Sequence, residues 1–466
     1  WQDFMFACST YPSFDDDFMI NVRQEAVDNV RRIRHHPCLA LWCGNNELEQ
    51  GLVNWDIDDW TDTAMPPKDY LALFDELLPE VVGTEDPDTP YWPSSGHTPG
   101  EGRHDCWDDT CGDAHSWSVW FGGQPIEAQR DWKFRFMSEF GFQSYPELKT
   151  VESFTAPEDR NMVNWIMDYH QRSGPGNQTI LKYALDWFRE TRGFEQSLTV
   201  SQLIQALCVQ YAAEHARRIQ GRMDGLLYWQ INDLWPGATW SSIDVYGRWK
   251  ALHYFRRRFF APVLISLVED HESGTVAVHV SNHQPKPLKG MVNWFITDAT
   301  GAVLNNGTAE ADVCSQMNQH VTTIACQKQR EAGGTTRLPL EIRKQTNIPM
   351  AGDRDILVWA VLKENGREVS RNLAFFTKPK YLNLQRPEIT ARMAEVDGRV
   401  VIDLESTHAA PWTQLTLQKG DATFSDNFLH LSPGLPARVT VESAPVDQIT
   451  DLEARLKIIP FVDLFN

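Results

Sequence analysis

Two glutamates stand where a carboxylate is expensive. In "LALWCGNNELEQ", residues 39–50, the apolar run Leu39–Cys43 reads as a short buried strand, and Gly44, Asn45, Asn46 and Glu47 follow where it stops. In "FRFMSEFGFQS" Glu139 lies among Phe134, Phe136 and Phe140. An acid in such surroundings must find a partner or give up its charge. Taken singly, either glutamate is compatible with a structural ion pair. Taken together they suggest glycoside hydrolysis, in which one carboxyl group protonates a departing oxygen while the other, ionised, attacks or activates water. Mutual repulsion helps hold the two in different protonation states.

The remaining chemistry-bearing residues are read around that pair. Eighteen tryptophans occur, many beside Asp, Asn, Ser or Gly, as in "AHSWSVW" and "NDLWPGATW". A flat apolar face ringed by hydrogen-bonding groups suits a sugar ring. Asp15, Asp16 and Asp17 are expected to cap a helix and complement its dipole. The acids of "NWDIDDWTD", residues 54–62, fit a solvated loop or a site for a hydroxyl or Ca²⁺. His97, His104, Cys106, Cys111 and His115 fall in one loop, but their spacing does not match paired zinc ligands, and a substrate loop is the preferred reading. No metal is called for.

These residues need elements to hold them. Phe18, Val22, Ala26, Val30 and Ile33 recur at helical spacing, with acids before them, bases after them and Pro37 as a stop. Tyr70, Leu71, Phe74, Leu77 and Leu78 give a second helical pattern. Between and after them, "WQDFMFACS", the run ending at Glu47, "TPYWPSS", "SWSVWF", "FRFMSEF" and "GLLYWQIN" read as strands. Strands separated by helices or long loops imply parallel pairing. Their C-terminal ends carry Asn46 and Glu47, Ser94 and Ser95, Glu139, and Asn232 with Asp233. A (β/α)8 barrel gathers its site at that face, and no glycine-rich phosphate turn favours a doubly wound sheet. Residues 1–259 are therefore expected to form a barrel. It lacks its first strands, about three of which should precede Trp1. Short alternating strands then predict two immunoglobulin-like β-sandwiches, 260–376 and 377–466.

Composition removes several alternatives. With 63 acids against 43 bases the net charge is −20, which would repel a nucleic acid. No apolar run reaches the length of a membrane span, and the strand-like opening without Met is read as a fragment or processed product. Eight cysteines are too sparse for a disulfide framework. Cys8, Cys38, Cys43 and Cys208 are expected as small core residues, while Cys106 and Cys111 are left either paired or reduced. Sequons at Asn177 and Asn306 leave the compartment open, and oligomeric state is not encoded legibly.

"LWCGNNE" and "FMSEFGFQS" resemble the acid/base and nucleophile motifs of β-mannosidases in glycoside hydrolase family 2. The resemblance continues through "WQDFMFACSTYP", "YWPSS", "GDAHSWSVW", "YWQINDLWPGATWSSID" and "FSDNFLHLSPG", in order, along essentially the whole chain. It implies a retaining exo-β-mannosidase acting on terminal β-D-mannose of oligosaccharides or glycoconjugates without a cofactor. By that similarity Glu47 is the acid/base, Glu139 the nucleophile, and Asn46 the partner of the sugar 2-hydroxyl. Asp113, His115 and Trp117 would shape the mannose subsite, with Trp229 and Trp235 as stacking walls. A double displacement calls for carboxyl groups about 5–5.5 Å apart. Two rivals stand beside this reading: a sister specificity for β-galactosides or β-glucuronides, and a non-catalytic carbohydrate-binding fragment.

Overall fold

A computed structural model describes residues 1–103, 105–332, 351–444 and 449–466. They resolve into two compact units, Trp1–Gly122 with Asp131–Phe140 and Gly221–Tyr228, and Gly123–Arg130 with Gly141–Gln220 and Trp229–Asn466. The architecture is part of a (β/α)8 barrel followed by two immunoglobulin-like sandwiches.

The first unit holds six short parallel strands. β1 (Gln2–Ala7), β2 (Trp42–Asn46) and β3 (Tyr91–Trp92) pair in that order. β4 (Ala114–Ser116), β5 (Phe136–Phe140) and β6 (Gly225–Tyr228) form a second parallel set. Between β1 and β2 runs the helix Asp16–Ile33, as its periodicity predicts, with Val22, Ala26 and Val30 buried against the sheet side. Its start is fixed by Asp15, whose side chain accepts from the Phe18 N–H at 3.1 Å. Phe4, Phe6, Trp42, Tyr70, Phe74 and Leu78 continue the same core.

Two sequence expectations are corrected here. The pattern at Tyr70–Leu78 is not one regular helix but Pro67–Leu71, a π-helical turn Ala72–Leu77 and a further helix Leu78–Glu85. Pro79 cannot donate to the Asp75 carbonyl, and the wider turn accommodates that loss. The Tyr91 hydroxyl donates to the Phe74 carbonyl at 2.6 Å within the same turn. Likewise "SWSVWF" is a strand only at its start. Trp117–Gly122 folds into a turn in which the Phe121 and Gly122 N–H groups both donate to the Trp117 carbonyl, at 2.9 and 3.1 Å. Buried Val119 and Trp120 give that turn the apolar look of a strand.

The second unit is built on the long helix Phe194–Arg218, buried on most of its faces, and the helix Ala251–Phe259. The first sandwich packs the sheet of β7 (Val263–Asp270), β8 (Thr275–Asn282) and β11 (Met317–Ala325) against that of β9 (Leu288–Asp298), β10 (Val303–Val313), β12 (Ile356–Glu364) and β13 (Arg367–Ala374). Strict alternation in "TVAVHV" sends Val276, Val278 and Val280 into one core with Val292, Ile296, Val358 and Leu362. A second sandwich follows from Ile389 to Ile459, with sheets of four and three strands. The opposite face of β12, with Leu357, Trp359 and Val361, packs on Ala409 and Leu435 of that second sandwich.

The cysteines divide. Cys43 and Cys208 are buried as expected, whereas Cys8 and Cys38 are exposed. Cys8 sits past the end of β1 at φ 44°, and Cys38 lies in the turn before β2. Cys106 and Cys111 are both free thiols. The Asn177 sequon is no acceptor surface, because the asparagine is buried and its carboxamide is bonded to Tyr145 and Asp168. Among the described residues no helix is long and apolar enough to cross a membrane.

Candidate active site

β2 and β5 bring Glu47 and Glu139 to one place, and His115 of β4 stands between them. His115 Nδ1 lies 2.7 Å from Glu47 Oε1 and 3.6 Å from Glu139 Oε1. The three groups keep one ligand atom each within 4.8 Å of one another. The His115 side chain is only 1% exposed, against 28% for Glu47 and 12% for Glu139, so two partly exposed carboxylates flank a buried imidazole.

Register explains the meeting. On the β4–β5 ladder Ala114 pairs with Met137 but His115 pairs with Glu139, so Ser138 is skipped. Such a bulge re-aims side chains. It sets His115 beside Glu139 and turns Ser138 Oγ toward Asp113, to which it donates a hydrogen bond. Trp117 Nε1 donates to Glu139 Oε1 at 3.2 Å. Asp3 of β1 is a further acid that the sequence reading passes over. It accepts from Trp1 Nε1 at 2.7 Å, and its charge acts on both His115 and Glu139.

The approach to Glu47 is equally specific. A Cβ on Gly44 would fall on the Tyr91 hydroxyl and the Pro93 carbonyl, so β3 can lie this close only beside glycine. Glu47 itself adopts φ 61°, ψ 8°, a left-handed conformation that costs a side-chain-bearing residue roughly 1 kcal/mol. The turn is held by its neighbours: the Glu47 N–H donates to the Ser95 carbonyl at 2.7 Å. Asn45 Oδ1 accepts from the Leu48 N–H at 3.1 Å and from Ser94 Oγ at 2.8 Å. The two asparagines thus differ in kind. Asn45 is fully buried and committed to the turn, whereas among the described residues the Asn46 side chain makes only long contacts, 3.4 Å from Ser95 Oγ and 3.9 Å to Cys8 Sγ. Its carboxamide is available to a hydroxyl.

Other residues singled out in the sequence lie as follows. Asp113 Oδ1 accepts from Trp92 Nε1 at 2.7 Å and from the His97 N–H at 2.9 Å, and Oδ2 takes Ser138, so both oxygens are engaged by the protein. Trp229 and Trp235 belong to the second unit. Trp229 is 43% exposed. Trp235 stacks on His170 with centroids 4.5 Å apart, under the Arg172 guanidinium. His104 lies outside the described residues. His97, another member of that His- and Cys-containing loop, is bonded to Glu49.

Burial raises the Glu139 carboxyl. The His115 charge pulls it back, Glu47 adds to the rise, and the result is about 7. Burial also works against a charged His115, but the Glu47 hydrogen bond and the charges of Glu139, Glu47 and Asp113 carry it above its ordinary range. Glu139 therefore exchanges its proton near neutrality beside an imidazole that favours its charged form, a setting suited to acid–base chemistry at a glycosidic oxygen. A metal fits the trio less well. Two ligands at zinc-like bond lengths sit roughly 3.3 Å apart in a tetrahedral site, and the 2.7 Å Glu47–His115 contact is already a hydrogen bond.

The raised Glu139 has a consequence for stability. Unfolded, the carboxyl titrates near 4.3; folded, it titrates near 7. Below the unfolded value both states hold the proton, so nothing is lost. Between the two values only the folded state holds it, stability falls as pH rises, and the penalty is complete above about 7. Glu139→Gln is expected to stabilise the fold by up to roughly 3–4 kcal/mol at pH 8 and by little at pH 4. Thermal unfolding of both proteins at the two pH values checks this, and equal shifts at both would contradict it.

Comparison with known proteins agrees with this layout. A family model described as a mannosidase Ig/CBM-like domain matches residues 274–381, and one described as an Ig-fold domain matches residues 384–464. Beta-mannosidase of Capra hircus is 30% identical over 458 residues, covering 92% of this chain and 49% of that protein. Beta-mannosidase B of Neosartorya fischeri is 33% identical, covering 95% and 52%. The crystal structure of beta-D-mannosidase from Dictyoglomus thermophilum superposes with a TM-score of 0.83 at 26% identity, over 99% of this chain and 52% of that one. The chain spans about half the length of the curated relatives it matches.

Proposed function

The chain belongs to the beta-mannosidase family, and from that premise we propose that the protein carrying it is a retaining exo-β-mannosidase, releasing terminal non-reducing β-D-mannose by double displacement. The observation that carries the mechanism is the closeness of the two carboxylates, whose nearest ligand oxygens and the intervening imidazole nitrogen fall within 4.8 Å. Retaining enzymes hold their carboxyl groups about 5–5.5 Å apart, whereas an inverting pair leaves roughly 6.5–9.5 Å for an interposed water.

In this reading Glu139 attacks the anomeric carbon while Glu47 gives a proton to the departing oxygen. A covalent mannosyl-enzyme results. Glu47, now a base, takes a proton from water, which displaces the sugar from Glu139 with overall retention. Asn46 receives the 2-hydroxyl, a contact that strengthens as positive charge develops at the adjacent carbon. Trp117 N–H favours the ionised form of Glu139, and a charged His115 stabilises the Glu47 carboxylate once its proton has gone, leaving it free to act as the base. No cofactor enters these steps.

One observation pulls the other way. Burial lifts Glu139 to about 7, the direction usually found in a proton donor. His115 reconciles the two, because a cation 3.6 Å from Glu139 stabilises the anion once the proton has left. The substrates are β-mannosyl oligosaccharides or glycoconjugates.

Initial rates of nitrophenol release from β-mannoside, β-galactoside and β-glucuronide test the assignment. The β-mannoside is expected to lead by at least about 100-fold, because a site built around an axial 2-hydroxyl leaves polar groups unpaired with the wrong epimer. Hydrolysis of none of the three by the folded protein would favour the non-catalytic carbohydrate-binding reading.

A further inference from the structure

Two residues beyond Glu47, on the four-residue helix Leu48–Gly51 that Glu47 starts, lies a carboxylate with no part in the steps above. The Glu49 side chain is completely buried. Its Oε1 lies 2.8 Å from His97 Nδ1, and its Oε2 accepts from the Tyr70 hydroxyl at 2.9 Å and from Arg103 Nη2 at 3.0 Å. Arg103 in turn grips both oxygens of Asp75, at 2.8 and 3.1 Å, and its guanidinium lies over the Trp55 and Tyr70 rings. A buried carboxylate with every oxygen engaged resists movement, because displacing it would strand charge away from water.

The contacts do not stop at His97. Its backbone N–H donates to Asp113 Oδ1, and Asp113 Oδ2 accepts from Ser138 Oγ. Ser138 precedes Glu139 on β5, and Asp113 lies two residues before His115 at the start of β4. A continuous hydrogen-bonded path therefore runs from the turn carrying Glu47 to the strand carrying Glu139. Among the described residues β3 and β4 share no backbone ladder; the Asp113 N–H donates to the His97 carbonyl at 3.3 Å, and side chains complete the bridge across the sheet there.

We propose that Glu49 is a positioning residue: through His97 and Asp113 it ties the turn bearing Glu47 to the strand bearing Glu139 and so sets the separation of the two carboxylates. The inference rests on the reading of Glu47 as the proton donor. A misplaced donor penalises a leaving group that needs protonation and spares one that departs as a stable anion. Loss of folded protein lowers both equally.

The test compares kcat/KM of the full protein on a β-linked mannobiose and on dinitrophenyl β-mannoside, for wild type, Glu49→Gln and His97→Gln. Glu49→Gln is expected to lose at least about 30-fold on the disaccharide and less than about 3-fold on the dinitrophenyl substrate, in line with the ~100-fold effect of a 1 Å misplacement. His97→Gln, which cuts the next link while leaving the Arg103 pair, should show the same split and serves if Glu49→Gln does not fold. Equal losses on both substrates, or no loss on either, would overturn the proposal. A wild-type protein inactive on both would instead refute the functional reading, and the role of Glu49 falls with it.

Discussion

Glu139→Ala is expected to lower hydrolysis of a β-mannoside by at least about 10⁴-fold, since removing a group that forms the covalent intermediate costs most of the catalytic advantage. The loss should lie in kcat more than in KM, because the substrate's hydroxyl contacts are untouched. The cavity left by the side chain gives the effect a second, more diagnostic signature. A small anion such as azide can enter from the face that Glu139 occupied and displace an activated leaving group directly. One displacement in place of two inverts the anomeric centre, so the product should be α-mannosyl azide. Kinetics with and without azide, and the anomer of the product, check both halves of the prediction.

Glu47→Ala should behave differently. Proton donation by a positioned carboxyl contributes about 10²–10⁴-fold, and kcat/KM on a β-linked mannobiose should fall by that factor. On dinitrophenyl β-mannoside the first step needs no proton, so kcat/KM should change little. The second step still needs a base, and the mannosyl-enzyme should accumulate. A burst of dinitrophenol followed by slow turnover is the expected progress curve. Azide should relieve the slow step by attacking the intermediate without base assistance, and two displacements then give β-mannosyl azide. The opposite anomers from the two variants would distinguish the roles of the carboxylates. The same pair of substrates reports on Glu49, whose variant should show a muted form of the Glu47 pattern.

Much of this was legible in the sequence because it depends on local order. Helical spacing of Val22, Ala26 and Val30 marks a buried helix face, and the apolar run before Glu47 marks a strand. An acid at the end of such a run is conspicuous on energetic grounds alone. What the sequence hides is partnership across the fold. Glu49 looks like any polar residue on a short helix; its partners Tyr70, His97 and Arg103 are set against it only by tertiary folding. Asn45 and Asn46 are the same residue type side by side in the sequence, and only burial and bonding in the fold separate the one that holds the turn from the one that is open to ligand. Asp113 reads from its motif as a sugar contact, yet its oxygens are taken by Trp92, His97 and Ser138. The skipped Ser138 is a register event that no periodicity encodes. Proline chemistry was visible in Pro37 as a helix stop, but the π-helical turn before Pro79 needed the packing of Tyr91 to be recognised.

Central to the proposed mechanism is the bond from Glu139, and not Glu47, to the sugar. A fluorosugar such as 2-deoxy-2-fluoro-β-mannosyl fluoride slows both steps but leaves the fluoride a good leaving group, so the covalent intermediate should persist. Proteolysis and mass spectrometry of the inactivated protein then locate the label. One fluoromannosyl group is expected, on the peptide containing Glu139. A label on Glu47, or turnover of β-mannosides with no trappable intermediate, would contradict that mechanism.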